Sequence, residues 1–370
     1  MKNIVKEQFL VSTFFTFYLV HSSQIGIGIL SFQREVSKNA QQDAWLSVII
    51  AGISIHILIW LIYQTLDEKH NDLVAVHDFC FGQVIGNILS ILVLFYFLLS
   101  AFAVFRTYIQ IIQVWVFPTI KTWQLALVLG VMIYYIVSGG FRILTGFSVW
   151  GVIIPAFLLL LLYFPLRYMN PRLLMPVFNH TVKDILLSTK ASVLLFVGFE
   201  WIYMYYPFIK GAKKSQKWAH LANGISTVLY LIVLVVSFMY INQDTLQHAT
   251  WATLFMTKII ELPFIERFEY IFIFIWILVI IPTLCIPIWA CTRILKRITN
   301  SSHFKPKISL AFFIIVMIVA ATFIENFVEV DKLGKFISNA GFYFLYIYIP
   351  FIFLMKLFRH QLTKMLSKAQ

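Results

Sequence analysis

Charge is what this sequence has least of. Charged residues make up 12% of its 370 positions, 16 acids against 29 Lys and Arg. A soluble domain carries about a quarter charged and near half apolar residues. Here 61% are apolar and the mean hydropathy is +0.86, so a water-soluble globular fold is excluded. Cysteine is nearly absent too. Cys80, Cys285 and Cys291 are odd in number and the last two fall in or beside an apolar run. That argues against a disulfide framework and against a paired-cysteine metal site. The histidines show no paired metal spacing, and no phosphate loop or Ser/His/Asp set is present. An enzyme is therefore not expected, nor a metal or other cofactor. The net charge of +13 would suggest nucleic acid in a soluble protein. The basic residues lie between apolar runs, however, without the aromatic interleaving of a single-strand binder, so no nucleic-acid partner is expected. Lys2 and Lys6 precede an apolar run that continues past any plausible cleavage point, so no removable signal is expected either.

What the sequence has in abundance is long apolar runs, with 37 Phe, 17 Tyr and 10 Trp to face lipid and its interfaces. A helix needs about 20 mostly apolar residues to cross a bilayer. Runs of that kind predict ten spans, near 9–31, 44–65, 84–116, 120–138, 147–165, 186–209, 218–241, 264–292, 308–325 and 335–358. Lys and Arg collect in alternate loops, among them Lys210, Lys213, Lys214, Lys217, Arg293, Lys296 and Arg297, and in the tail. The positive-inside rule then puts both termini in the cytoplasm. The inner loop 66–83 is acidic and reads as a short surface helix. The outer loop 166–185 carries Pro171 and Pro176, and its Asn179-His180-Thr181 matches a glycosylation sequon. In the outer loop 242–263, Leu246, Ala249, Thr253 and Met256 recur at helical spacing, which predicts one amphipathic helix lying over the outer mouth or in the interface.

The first apolar run contains Gln24-Ile25-Gly26-Ile27-Gly28-Ile29. Each interior glycine costs a helix about 0.5–1 kcal/mol relative to Ala, and in lipid a broken helix also strands N–H and C=O groups. The sixth run contains Val197-Gly198-Phe199-Glu200, a glycine beside the only acid in the core of a span. Interrupted first and sixth spans among ten give the arithmetic of an inverted repeat of five plus five, whose paired breaks mark a solute site. Such a chain is one transmembrane unit, 1–370, with repeats near 9–165 and 186–358. Free N–H groups near Gly28 suit a carboxylate; the alternative is close packing of helices at Gly26 and Gly28. Gln24 either contacts solute or seals the break. Burying the charge of Glu200 costs at least about 2.5–3.5 kcal/mol, so it is protonated, paired with a cation or used as a proton-linked switch, or else it is a structural acid that caps the break. Arg106 in the third span lines a polar cavity, pairs with an acid or snorkels outward. Tyr96 and Ser100 share a face of that span. Thr283 follows Pro282, which frees a carbonyl in the eighth span. His56 reads as a satisfied polar residue.

These residues resemble the permease-like B subunit of spore germinant receptors, a branch of the amino acid–polyamine–organocation superfamily. The resemblance covers nearly the whole chain. It is carried by Gln24 to Leu30 with Arg34 soon after, by Asp43-Ala44-Trp45, by Phe196 to Glu200, and by Phe264-Ile265-Glu266-Arg267-Phe268-Glu269 followed by Trp276. Gln33 departs from the proline that relatives often carry before the arginine. The resemblance implies an all-α LeuT-type core of ten helices. It implies a nutrient, usually an amino acid, held at mid-membrane by the backbone of Gly26, Ile27 and Gly28 and of Val197, Gly198, Phe199 and Glu200. Tyr96, Ser100 and Thr283 would face it; the residues themselves add Gln24 to the site and make Arg106 and Glu200 candidate charge-coupling groups. It also implies work in the spore inner membrane beside an A subunit and a lipoprotein C subunit. The sequence leaves two mechanisms open: a receptor that signals to those partners, and a proton-coupled amino acid transporter.

Overall fold

The computed structural model describes residues 5–260, 263, 265–299 and 305–368. Lys2 and Phe264, which entered the reading of the sequence, lie outside the described residues. The architecture is all-α: no strand forms among the described residues, and Val11 and Ile209 pair in an isolated bridge. The helices are α1 (Phe15–Gln24), α2 (Phe32–Ala40), α3 (Ala44–Thr65), α4 (Leu73–Trp115), α5 (Thr122–Ser138), α6 (Phe141–Ala156), the short α7 (Tyr163–Leu166), α8 (Val182–Val193), the short α9 (Ile202–Tyr205), α10 (Gln216–Tyr240), α11 (Gln243–His248), α12 (Ala252–Thr257), α13 (Phe268–Thr299), α14 (Pro306–Phe323), α15 (Phe327–Tyr343) and α16 (Ile349–Lys368).

Seven helices among the described residues are long and apolar enough to cross a membrane, and eight if the pair Val182–Phe196 and Phe199–Phe208, bent by 47°, is one span. This is an integral membrane protein. The count falls short of the expected ten for two physical reasons. α5 is 17 residues long, just under a full crossing, and the first apolar run is cut at Gln24, so neither piece is a long helix by itself. The run α4 opens with the short inner-loop helix expected there, which starts at Leu73 under the cap of Asp72, whose carboxylate accepts from the Ala75 amide at 2.8 Å. Gly82 (φ +77°, ψ 169°) leaves the helical region and separates that helix from the third span, close to the expected start at 84, and the two pieces fold together so that His77 Nδ1 lies 2.7 Å from Ser90 Oγ. One expected boundary shifts. α15 starts at Phe327 rather than near 335, its charged first turns steadied by a Lys335–Asp331 pair at 2.5 Å. The outer loop after α10 holds two short helices instead of one, because Ala249 (ψ 99°) and Trp251 (ψ 74°) leave the helical region and Trp251 turns inward.

α13 is the axis of the bundle, packed against α4, α6, α5 and α14 and buried over most of its length. α3 packs on α8, α10 and α16, and α1 on α10 and α6. Side chains that face away from this core are apolar as well, such as Ile53, Ile57, Leu92, Val128 and Ile315, as lipid contact requires.

Polar ties close both ends of the bundle. At the end where α1 begins, Lys356 donates to the Thr65 carbonyl at 2.8 Å and to Asp67 at 2.5 Å, and Arg297 lies 2.9 Å from Asp72. Desolvation pushes the Asp67 carboxyl upward, but bonds from Lys356 and from the His70 amide and ring outweigh it and hold the group well below the usual carboxylate range. At the other end Asp43 is buried and accepts the amides of Phe178, Asn179 and His180 at 2.6, 2.8 and 3.2 Å. That carboxylate pins the loop before α8 to the start of α3.

Candidate functional site

α1 stops at Gln24 because Ile25 (φ −89°, ψ 79°) leaves the helix; a single 3₁₀ turn, Gly28–Leu30, follows, and α2 resumes at Phe32. The second interruption lies after α8, where Val197 is extended (ψ 141°) and Gly198 has φ +120°. The two breaks touch. A Cβ on Gly198 would sit 2.8 Å from both the Cβ and the carbonyl oxygen of Ser23, so only glycine fits, both by conformation and by space. Gly26 is also closely packed, with Thr283 Cγ2 3.1 Å from where its Cβ would be. Gly28 is not: its Cβ would meet Tyr230 Oη at 3.7 Å and Leu195 Cδ2 at 3.8 Å, ordinary contacts.

Freed backbone in an apolar interior must find partners, and here side chains supply them. The Tyr230 hydroxyl, fully buried, is within bonding distance of the Gln24 carbonyl at 2.8 Å and the Leu195 carbonyl at 3.1 Å. Thr253 Oγ1 donates to the Ile29 carbonyl at 2.6 Å and accepts from Gln33 Nε2 at 2.7 Å; Gln33 also reaches Ser237 at 3.1 Å. Gln24 Nε2 donates to Asn223 Oδ1 at 3.0 Å, and Asn223 Nδ2 donates to the Gly52 carbonyl at 2.9 Å. Glu200 is fully buried: the Gly198 amide donates to its Oε2 at 2.6 Å and the Tyr96 hydroxyl to its Oε1 at 3.1 Å. Among the described residues it has no salt bridge. The carboxyl thus caps its own break.

Beside the crossing lies a cavity of about 220 Å³. Of the residues singled out from the sequence, it brings together Gln24, Gly26, Ile27, Gly28, Ser100, Val197 and Thr283. Tyr96, Gly198, Phe199 and Glu200 stand behind this lining. The hydroxyls of Ser100 and Thr283 are bonded to their own helices, at the carbonyls of Tyr96 (2.8 Å) and Ile280 (2.7 Å). The lining runs along α4 through Ala103 and Thr107, and along α15 at Gly334 and Ser338, toward the end of the bundle held by Asp43. Arg106 is not part of it. Buried, it donates from Nε to the Ile324 carbonyl at 2.6 Å and from Nη2 to the Glu325 carbonyl at 3.0 Å, closing the C-terminus of α14. His56 meets His220 of α10, Nδ1 to Nδ1, at 2.9 Å.

The reading of the sequence missed the α10 residues that hold the first break. Asn223, Ser226, Tyr230 and Ser237 fall three, four and seven residues apart, one face of a helix, and that face looks onto α1 and α2. His21 Nδ1 lies 2.9 Å from Ser226 Oγ. A polar stripe in an otherwise apolar span is the signal that would have found them. Gln33, noted in the sequence only as a departure from proline, helps hold the carbonyl of Ile29 through Thr253. No group of three or more His, Cys, Asp or Glu is gathered for a metal among the described residues.

Residues 10–329 match the family described as spore germination protein. Among characterised relatives, spore germination protein GerQB of Bacillus cereus is 35% identical over 356 residues, 96% of this chain and 98% of its own length. Spore germination protein B2 of Bacillus subtilis (strain 168) is 26% identical over 272 residues, 70% of this chain and 72% of its own. Spore germination protein YndE of the same strain is 23% identical over 332 residues, 88% and 90% respectively. A match over most of the chain, with a relative sharing a third of its residues, settles descent: the chain belongs to the spore germination protein family.

Proposed function

We propose that this chain is the nutrient-sensing, B-type subunit of a spore germinant receptor, and that the cavity at the crossing of its two breaks takes a small nutrient such as an amino acid. The cavity itself is the observation that carries the reading. It lies where two interrupted helices touch and is walled by Gly26, Ile27 and Gly28, while the hydroxyls of Ser100 and Thr283 in its wall are bonded to carbonyls of their own helices. Backbone N–H groups with a glycine between them are suited to a carboxylate.

The reading extends to the architecture. The eight crossings counted with the bent pair, α5 and the segment carrying the first break make ten spans. The breaks then fall in the first and sixth, five apart, as in an inverted LeuT-type repeat with halves near 9–165 and 186–358 in one unit. Both termini would be cytoplasmic in the spore inner membrane. An A subunit and a lipoprotein C subunit would read the change. A nutrient shifts such a protein only through unequal affinity for its conformers. Deleting the gene in a strain lacking redundant receptors, then assaying germination with single nutrients and solute uptake in vesicles, tests this. Loss of germination to one nutrient with uptake intact is expected.

A transporter is the second reading, favoured by one observation: an acid, Glu200, fully buried beside the break. Uptake lost with germination to every nutrient intact would establish it and refute the receptor.

A further inference from the structure

The first break separates two cavities. One face of it (Gln24, Gly26, Ile27, Gly28) lines the cavity already described. The other face, Phe17, His21, Ile25 and Ile29, lines a second cavity of about 330 Å³, whose other walls come from α6 and the turns that follow it, α10, α12 and α13.

This second cavity has the wrong chemistry for a polar nutrient. Five polar side chains touch it, and four are already engaged. His21 lies 2.9 Å from Ser226 Oγ, Ser22 donates to the Leu19 carbonyl at 3.4 Å, Thr253 to Ile29 and Thr257 to the Leu254 carbonyl at 2.7 Å. The fifth, Trp276, offers a single N–H that has no partner among the described residues. The rest of the wall is hydrocarbon. An apolar cavity of this kind does not hold water, and left empty its wall loses contacts on one side.

Its rim names the occupant. Leu159 and Leu160 on one side and Val228 and Ile232 on the other all line the cavity or flank its lining, and are exposed, Leu160 by 72% and Val228 by 55%. All four lie in segments apolar enough to be membrane spans, Phe141–Leu166 and Ala212–Tyr240. The surface beside the mouth is therefore lipid, and what reaches the cavity from there is lipid hydrocarbon. We propose that the cavity between α6 and α10 takes one acyl chain of a membrane phospholipid, which enters sideways and rests on Ile25 and Ile29 at the back of the first break. A chain seated there occupies the space into which the break would move, so lipid composition acts on the same element that lines the smaller cavity.

The test uses the full chain in vesicles of phosphatidylglycerol and phosphatidylethanolamine doped with a phospholipid carrying a diazirine at mid-chain. After illumination, cross-linked residues are mapped by mass spectrometry. Cross-links on Trp276, Val279 or Ile29 are expected. All three are buried from the outer surface, at 6%, 1% and 3% exposure, and are reached only from inside the cavity. Val152→Trp on α6 and Val233→Phe on α10 narrow the space from facing walls; in either variant that keeps a normal melting transition, the deep cross-links should fall to background while those on Val228 and Ile232 persist. Cross-links confined to the exposed rim in the unaltered protein would overturn the proposal, as would deep cross-links that survive both fillings. If neither variant folds, the map of the unaltered protein decides. No nutrient is needed, so this result stands apart from whether the smaller cavity binds one.

Discussion

The Tyr230 hydroxyl lies 2.8 Å from the Gln24 carbonyl and 3.1 Å from the Leu195 carbonyl. One phenol on α10 thus serves both interruptions, one from each half of the chain. Tyr230→Phe removes that donor and leaves two buried carbonyls without it. An unsatisfied buried group costs about 1–3 kcal/mol. We expect a lower melting temperature in detergent and a weaker nutrient response at equal protein abundance. A melt and a germination dose–response superimposable on those of the unaltered protein would refute the role.

The three glycines of the crossing are not equivalent. Gly198→Ala forces a side chain onto φ +120° and against the Ser23 backbone, so little folded protein should reach the membrane. Gly28→Ala meets only ordinary contacts and should keep normal abundance and a melting temperature close to that of the unaltered protein. Gly28→Val, which projects further into the smaller cavity, should raise the nutrient concentration for half-maximal germination. Quantitative immunoblots of membrane fractions and dose–response curves separate the three.

Glu200 accepts two hydrogen bonds, from the Gly198 amide and the Tyr96 hydroxyl. If capping is its role, stability should rank unaltered, then Glu200→Gln, then Glu200→Ala. Glutamine retains one acceptor and most of the shape, whereas alanine abandons the amide and leaves a void, at a cost of about 1–3 kcal/mol for the orphaned group alone. Thermal melts measure the order. Gln and Ala variants of equal stability would show that the carboxyl is not a cap, and a response whose pH profile is flattened by Glu200→Gln would assign it to proton coupling.

The Asp67–Lys356 tie predicts a pH dependence with a definite sign. The folded-state carboxyl titrates below its unfolded value, which is about 3.9 for Asp. Its contribution is therefore complete above that value and is lost as pH falls through it toward the folded value. The melting temperature of Lys356→Met should lie below that of the unaltered protein at pH 7, and the gap should narrow as pH is lowered below about 5. Both residues are reachable by water, with side-chain exposures of 12% for Lys356 and 44% for Asp67, so salt should narrow the gap as well. A gap that widens on acidification would contradict the assignment.

Which parts of this were legible in the sequence follows from what is rare in lipid. Glycine pairs and a lone acid inside apolar runs stand out, and they located both breaks. Partners do not stand out: tyrosine and threonine are ordinary in membrane helices, so Tyr230 and Thr253 gave no signal one residue at a time. Arg106 was visible as a charge in a span, but its partners are the carbonyls of Ile324 and Glu325, which no side-chain pattern encodes. A span boundary slipped where polarity misled. The charged turn at Asp331 and Lys335 hid the start of α15, whereas the short helix in the acidic 66–83 segment, ended by Gly82, was legible. The helical spacing from Leu246 to Met256 was real, but the backbone turns at Ala249 and Trp251, and spacing alone does not report a ψ angle.

Tyr230 also sets an order of events at the ribosome. Its bond to the Gln24 carbonyl spans 206 residues of chain. At the usual 5–20 residues per second, that interval is roughly 10–40 s of synthesis. During that time the Gln24 carbonyl lacks the Tyr230 hydroxyl. The first break is complete only once α10 is in place, so a segment made early is finished late.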